Sequence, residues 1–164
     1  MPESSKVKPR SALLGQQGEL LVAQWLEGQG WSIVAKGWTS RWGELDVVAL
    51  RDEGRHSCLA FVEVKTRSRG NWDEDGLCAI TRTKQAKLWK TAQLFLAKHP
   101  HLAEAYCRFD VALVNVRRTL GAQLSPSQAS PNPLAAIVLG QPVVMDGNEL
   151  TLHTYIEAAF DLSH

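Results

Sequence analysis

Cysteine is scarce in this sequence of 164 residues, and the three that occur lie far apart, with no Cys-x-x-Cys pair. No histidine stands at zinc-finger spacing from them, so a structural zinc site is not expected. No stretch approaches the roughly 18 apolar residues that a membrane span needs. The first residues also lack the apolar run of a signal peptide. We therefore expect a protein of the reducing cytoplasm with no membrane partner.

Net charge is also nearly absent, at +1, which excludes a uniformly basic coat for nucleic acid. The charges are unevenly distributed, because residues 55–98 carry nine basic and four acidic side chains and the rest of the chain is net acidic. No acid lies between Arg82 and Lys98. Ordinary glycine, proline and charged contents exclude collagen-like, coiled-coil and wholly disordered chains. The sequence thus predicts a globular protein with one basic surface.

Hydrophobic periodicity predicts a single α/β domain over residues 11–164, preceded by a flexible N-terminal arm at residues 1–10. The length suits one hydrophobic core rather than two. A Pro- and Ser-rich segment predicts a mobile insert near residues 120–134. The predicted helices are 11–27, N-capped by Ser11, and 81–99, and the predicted strands are 31–38, 44–50, 58–67, 106–116, 142–145 and 150–160.

The turn between the second and third strands decides which side chains face one another. A two-residue turn at positions 54 and 55 pairs residues whose numbers add up to 109, which places Asp46 opposite Glu63. The same register puts Glu44 opposite Lys65 on the same face. The other face is apolar throughout, as expected of a core face: Leu45, Val47, Ala49, Ala60, Val62 and Val64.

Two carboxylates directly across from one another destabilise a sheet unless a cation lies between them. Mg²⁺ fits that requirement, because it takes oxygen ligands, is commonly held by one or two carboxylates and keeps several waters. The alternative is that Glu44 pairs with Lys65, and Asp46 with an arginine, as weak surface ion pairs. The residue pattern leaves both interpretations open, and a bulge in either strand would shift the register.

Two segments of this hairpin resemble the bipartite signature of the PD-(D/E)xK nuclease superfamily. They are GELDVVA at residues 43–49 and FVEVKTR at residues 61–67. Asp46 matches the first acidic position of the signature, and Glu63 and Lys65 match its ExK positions. The segment departs from the pattern in having no proline before Asp46.

Further blocks resemble, in order, the YraN family of bacterial proteins, which is similar to archaeal Holliday-junction resolvases. These blocks are GQQGELLVAQWL, Lys84, RFDV and IEAAF. The resemblance covers roughly residues 13–116 and 150–162. Several ordered blocks are far more specific than an isolated ExK motif.

The resemblance implies an α/β fold of the restriction-endonuclease type, with a mixed β-sheet flanked by helices. It also implies an endonuclease that uses Mg²⁺ or Mn²⁺ to hydrolyse phosphodiester bonds in structured or branched DNA. Asp46 and Glu63 would bind the ion, and the Val64 carbonyl would be a further ligand. Lys65 would position the attacking water or stabilise charge on the phosphate. Glu19 would assist the metal site from the first helix.

Glu19 has an alternative interpretation as an ordinary exposed helix acid. Against it stand Gly15 and Gly18, which would allow that helix to approach the sheet closely.

The resemblance and the basic run together imply DNA as the partner. Lys84 and Lys87 would reach phosphates from the basic helix, and Arg67 and Arg69 from beyond the third strand. The alternative is a solvated lysine face. A homodimer is implied as well, because junction resolvases cut two strands. A nucleic-acid-binding module of the same fold, without useful turnover, is the rival function.

Two smaller sets of residues have open roles. Trp38, Trp42 and Trp72 fall in predicted loops or strand ends, where they would either stack on unpaired bases or pack in the core. Asp110 is expected to be the salt-bridge partner of Arg108 rather than part of the metal site.

Overall fold

The computed structural model describes residues 8–68, 80–119 and 136–161. The predicted insert and arm residues 1–7 lie outside these ranges, and Arg10, predicted to belong to the arm, instead begins the first helix. The elements are α1 (Arg10–Gly28), β1 (Ser32–Ser40), β2 (Gly43–Asp52), β3 (Ser57–Arg67), α2 (Arg82–Lys98), a 3-10 turn (Pro100–Leu102), β4 (Tyr106–Arg118), β5 (Pro142–Met145) and β6 (Asn148–Phe160).

The strands form one six-stranded sheet in the order β1-β2-β3-β4-β6-β5. β3 and β4 are parallel, whereas every other neighbouring pair is antiparallel. Parallel neighbours need a crossover connection, and here that connection contains α2. A mixed sheet flanked by helices confirms the predicted α/β class and is consistent with a restriction-endonuclease-like fold.

Each face of the sheet is covered by one helix. α1 places Leu21 and Leu26 in a cluster with Val62 on one face, and α2 places Phe95 in a second cluster with Phe61 on the other. All five side chains are at most 2% exposed, and burying such a side chain contributes about 1.5–3 kcal/mol. The centre of β3 is therefore covered on both sides, which gives the strand that carries Glu63 a fixed position.

The two helices begin differently. α2 is N-capped by Thr81, whose side chain accepts a hydrogen bond from the Lys84 backbone N–H at 3.2 Å. α1 begins one residue earlier than predicted, so its N-cap is Pro9 rather than Ser11, with no side-chain cap. Neither helix in the described ranges has the length and apolar character of a membrane span.

The hairpin between β2 and β3 has the predicted register. Every pair from Val47 with Val62 to Asp52 with Ser57 adds up to 109. Gly54 in the turn has φ +77°, a conformation that glycine adopts without strain. The turn that was inferred from composition therefore aligns the two strands as expected.

Candidate functional site

The candidate site forms where β1 and β2 break their regular alternation. Gly37, in the middle of β1, has φ 57°, and its neighbours Lys36 and Trp38 pair with Val47 and Leu45. The prediction that Leu45 and Val47 share a face is wrong, because Leu45 packs on the α2 side and Val47 on the α1 side. The alternation of β2 is therefore interrupted at the residue between Leu45 and Val47, which lies across from the left-handed Gly37 of β1.

That residue is Asp46, and it links β2 to β3 through its side chain. The ladder of paired residues between β2 and β3 ends at Val47 and Val62, one residue pair before the predicted Asp46–Glu63 pair. Beyond it, the Val64 backbone N–H donates to Asp46 Oδ2 at 2.8 Å. Burial and then the neighbouring Glu63 carboxylate raise the pKa of Asp46 to about 7. The two carboxylates thus interact electrostatically just beyond the last residue pair of the β2–β3 ladder.

Glu63 lies on the α2 side and is only 7% exposed. Its Oε1 pairs with the Lys65 ammonium at 2.9 Å and also accepts a hydrogen bond from the Lys84 ammonium. In the structure Lys65 pairs with Glu63 rather than with Glu44, its partner in the alternative interpretation, and Glu44 is exposed at the start of β2. Sequence reasoning had given Lys84 only a phosphate contact, and the structure brings it to the carboxylate.

The two ammonium groups respond differently to their surroundings. Burial, followed by the contact with Lys84, lowers the pKa of Lys65. Burial opposes the charge of Lys84 as well, but its hydrogen bond with Glu63 and its further interactions with Lys65, Glu63 and Asp46 together outweigh burial and raise the pKa of Lys84. Lys84 is thus the firmly charged partner of Glu63, and Lys65 is the group whose proton is held less tightly.

Glu19 approaches the site from α1. Burial and the carboxylates of Glu44 and Glu63 raise the pKa of Glu19 to about 7. The close approach depends on Gly18, where an added Cβ would overlap the Thr66 hydroxyl, whereas nothing lies within 4 Å of a Cβ at Gly15. Only one of the two glycines that were expected to allow this approach is therefore needed for it.

These carboxylates are chemically suited to hold a divalent cation. Three acidic groups, Glu19, Asp46 and Glu63, interact electrostatically, and the pKa values of Glu19 and Asp46 are raised to about 7. Within residues 8–68, 80–119 and 136–161, however, no three His, Cys, Asp or Glu side chains stand close enough to enclose a metal ion. Mg²⁺ needs only one or two carboxylates and otherwise keeps waters. Asp46 and Glu63, with the carbonyl of Val64 directly after Glu63, fit that smaller donor set.

Comparison with known proteins places this chain in a family. The family described as "Uncharacterised protein family UPF0102" matches residues 18–114. The chain belongs to the UPF0102 family. It is 49% identical to a UPF0102 protein of Trichodesmium erythraeum over 89% of this chain and 87% of the relative. It is 44% identical to one of Acaryochloris marina over 99% and 100% of the two chains. UPF0102 and YraN are names of the same family, so the predicted family membership is confirmed. The matched range includes every candidate site residue.

The predicted phosphate contacts of this UPF0102 protein are spread over two elements. Lys87 is exposed on α2, one turn after Lys84. Arg67 is exposed as the last residue of β3. Arg69 falls outside the described residues. The structure therefore places Lys84 within the carboxylate cluster and leaves Lys87 and Arg67 beside it on the surface.

The tryptophans divide into packed and exposed members. Trp38 packs edge-on against Phe95 with ring centroids 5.3 Å apart, so it belongs to the core. Trp42 remains 39% exposed in the turn between β1 and β2. Trp72 lies in a part of the chain that the structure does not describe. The position of Trp42 in a turn agrees with the loop predicted for it from the sequence.

The second polar cluster is structural. Asp110 is fully buried and accepts hydrogen bonds from Arg108 at 3.1 Å, from the Tyr155 hydroxyl at 2.6 Å and from the Ala158 backbone N–H at 2.9 Å. Arg108 also pairs with Glu157 of β6 at 3.1 Å. The predicted Arg108–Asp110 salt bridge within β4 is therefore confirmed, and the bonds of these two residues to Glu157, Tyr155 and Ala158 tie β4 to β6.

Proposed function

We propose that this UPF0102 protein is a metal-dependent endonuclease that hydrolyses phosphodiester bonds in structured or branched DNA. The observation that carries the proposal is the convergence of Asp46, Glu63 and Lys65 at the end of the β2–β3 ladder. Their sequence spacing matches the PD-(D/E)xK signature. Burial also raises the pKa of Asp46, which lies next to a second carboxylate and a lysine, and such perturbed groups cluster at functional sites.

The chain's own residues divide the work of hydrolysis. Asp46 and Glu63, with the Val64 carbonyl, would hold Mg²⁺ or Mn²⁺, and Glu19 would add negative charge from α1. When bound, the ion would act as a Lewis acid on the phosphate and lower the pKa of a bound water. Lys65 stands beside Glu63 and would stabilise the charge that develops on the phosphate oxygens.

Through Lys84, binding of the substrate would make Glu63 available to the metal ion. In the protein alone, Lys65 and Lys84 both pair with Glu63 Oε1. This oxygen would become available to a metal ion only when one of the two ammonium groups pairs with another anion. A DNA phosphate is such an anion. Lys84 has an intermediate exposure and is borne on the basic helix, so it is the ammonium better placed to turn from Glu63 to the DNA.

One observation favours the rival function, a DNA-binding module without turnover. Two ammonium groups already compensate Glu63, and no three acidic or metal-ligating side chains are grouped in the described part of the chain. A protein that kept the fold only to bind DNA would have the same basic helix and would need no ion. The two functions differ in what removal of Lys65 does.

The deciding experiment is a cleavage assay on duplex, flap, single-stranded and four-way-junction DNA, with Mn²⁺ or with EDTA. We expect Lys65→Ala to lower the cleavage rate on the order of 10²-fold or more, with DNA binding largely kept, because one preorganised charge is lost. Asp46→Ala should also lose metal affinity. Arg55→Ala is the matched control, since it removes one positive charge from the exposed turn at the other end of the hairpin.

The outcomes separate the candidates. Equal cleavage by wild type, Lys65→Ala and Asp46→Ala would assign the activity to a contaminant or to another site. Binding of branched DNA by a wild type that never cleaves would favour the binding module. The homodimer implied by two-strand cleavage stays a prediction, which sedimentation of the DNA complex tests directly.

A further inference from the structure

An exposed tryptophan lies between two cations at the tip of the β1–β2 hairpin. Trp42 is 39% exposed, with the Lys90 ammonium 4.5 Å and the Arg41 guanidinium 5.2 Å from its ring centroid. The hairpin tip is held against α2, because a Cβ at Gly43 would lie 3.6 Å from the Thr91 hydroxyl. Two positively charged side chains, which DNA would attract, therefore hold a large apolar ring at the surface.

This aromatic and basic patch is connected to the carboxylate site along two elements. Trp42 and Asp46 are four positions apart along an extended strand, a span of about 13 Å. Lys84 and Lys90 are six positions apart along the helix, a span of about 9 Å. The patch therefore lies within a few nucleotides of a phosphate bound beside Lys84.

We infer that Trp42 stacks on an unpaired base of the DNA strand whose phosphate occupies the carboxylate site, while Lys90 and Arg41 contact the neighbouring phosphates. The inference rests on the proposed function and adds the substrate class to it. Stacking needs an open base face, which a continuous duplex does not offer. The preferred substrates are therefore flaps, splayed ends and branch points with unpaired nucleotides close to the cleavage position.

The energies of the two kinds of contact allow the exchange that stacking requires. Aromatic rings hold exposed cations less strongly than they hold a stacked base. A base can therefore displace one cation from the Trp42 ring, and the displaced cation gains a phosphate partner. Trp38, by contrast, is packed against Phe95 and has no such freedom.

The test measures the affinity of three DNAs of matched sequence: a single strand, a splayed duplex and a blunt duplex. Binding is followed by fluorescence anisotropy in EDTA at fixed salt, and cleavage of the same DNAs is measured in Mn²⁺. The variants are Trp42→Ala, Trp42→Phe and Trp89→Ala. Trp89 is the matched control, because it is 42% exposed on α2 but contacts Phe109 of β4 on the opposite flank of the helix.

We expect Trp42→Ala to weaken binding of the single strand and the splayed duplex about 5- to 100-fold, the range that one base stack supplies. Binding of the blunt duplex should change less than 2-fold. Trp42→Phe should keep most of the affinity because phenylalanine still stacks, and Trp89→Ala should resemble wild type. Thermal melts of all variants exclude unfolding as the cause.

Three results would overturn the inference. Equal losses on blunt and splayed DNA would mean that Trp42 only supports the basic surface. Unchanged affinity in Trp42→Ala, with Mn²⁺-dependent cleavage intact in wild type, would remove the stacking role and leave the nuclease. A wild type that neither binds nor cleaves any of the DNAs would remove both.

Discussion

Replacing Asp46 by asparagine is expected to make the ion-free protein more stable than wild type. Asp46 is largely buried beside Glu63, and burial and this neighbour raise its pKa to about 7. Folding at neutral pH therefore brings a carboxylate into an environment that disfavours its charge. Asparagine removes the charge and keeps an oxygen that can accept the hydrogen bond from the Val64 N–H.

The size of the gain follows from the pKa. At about 1.36 kcal/mol per pKa unit, the rise from 3.8 to about 7 corresponds to roughly 4 kcal/mol. Asp46 keeps part of its surface in water and takes up protons jointly with Glu63, so screening and coupling reduce the effect to about 1–2 kcal/mol. For a domain of this size that is about 2–8 °C in Tm.

The gain should depend on pH with a definite sign. A carboxyl group whose folded pKa is raised binds its proton more tightly in the folded state, so wild type loses stability as pH rises from about 4 to about 7. Above that window the loss is complete. The difference between Asp46→Asn and wild type should therefore be largest at pH 8 and should shrink towards pH 5.

Urea unfolding in EDTA at pH 8 and pH 5 measures this difference directly. Asp52→Asn is the control: Asp52 is an exposed acid of the same strand that accepts a hydrogen bond from Ser57 at 3.0 Å, which asparagine can replace. We expect it to change stability by less than about 0.5 kcal/mol. An Asp46→Asn protein no more stable than wild type at pH 8, or a gain that is the same at pH 5, would refute the argument.

Four further substitutions test other parts of the structure. Gly18→Ala should destabilise the fold by about 1–3 kcal/mol because its Cβ would overlap the Thr66 hydroxyl. Gly15→Ala, with open space around the added Cβ, should be neutral or stabilising by up to about 1 kcal/mol. Urea unfolding compares the stabilities of the two variants. Tyr155→Phe removes a donor from a buried carboxylate and should cost about 1–3 kcal/mol in the same assay. Lys87→Ala should lower the salt dependence of DNA binding by about one unit of logarithmic slope, and an unchanged slope would place the DNA elsewhere.

The parts of the fold that depend on local chemistry were predictable. The β2–β3 register follows from a glycine-containing turn and the period of two, and it holds from Val47 to Asp52. The second helix begins after Thr81, a good N-cap, and ends just before Pro100. In each case the signal lies within a few residues of the feature it determines.

The features that were missed depend on contacts between distant segments. Leu45 packs on the α2 side although Val47 packs on the α1 side, and the residue pattern of β2 gives no sign of this interruption. Helical spacing likewise placed Lys84 on a basic helix but did not say which sheet residue it would meet. Its partner, Glu63, is 21 residues away, and the packing of α2 on the sheet decides the pairing.

The parallel pairing of β3 and β4 has a consequence for how such a protein can diversify. The chain leaves β3 just after Glu63 and Lys65 and reaches β4 through α2. The crossover helix therefore cannot be lost without separating the two central strands. Its buried side, with Leu88 and Phe95, is constrained by the core, while Lys87 and Lys90 are exposed. Substitutions at the surface can thus accumulate on one flank of an element that the architecture itself preserves.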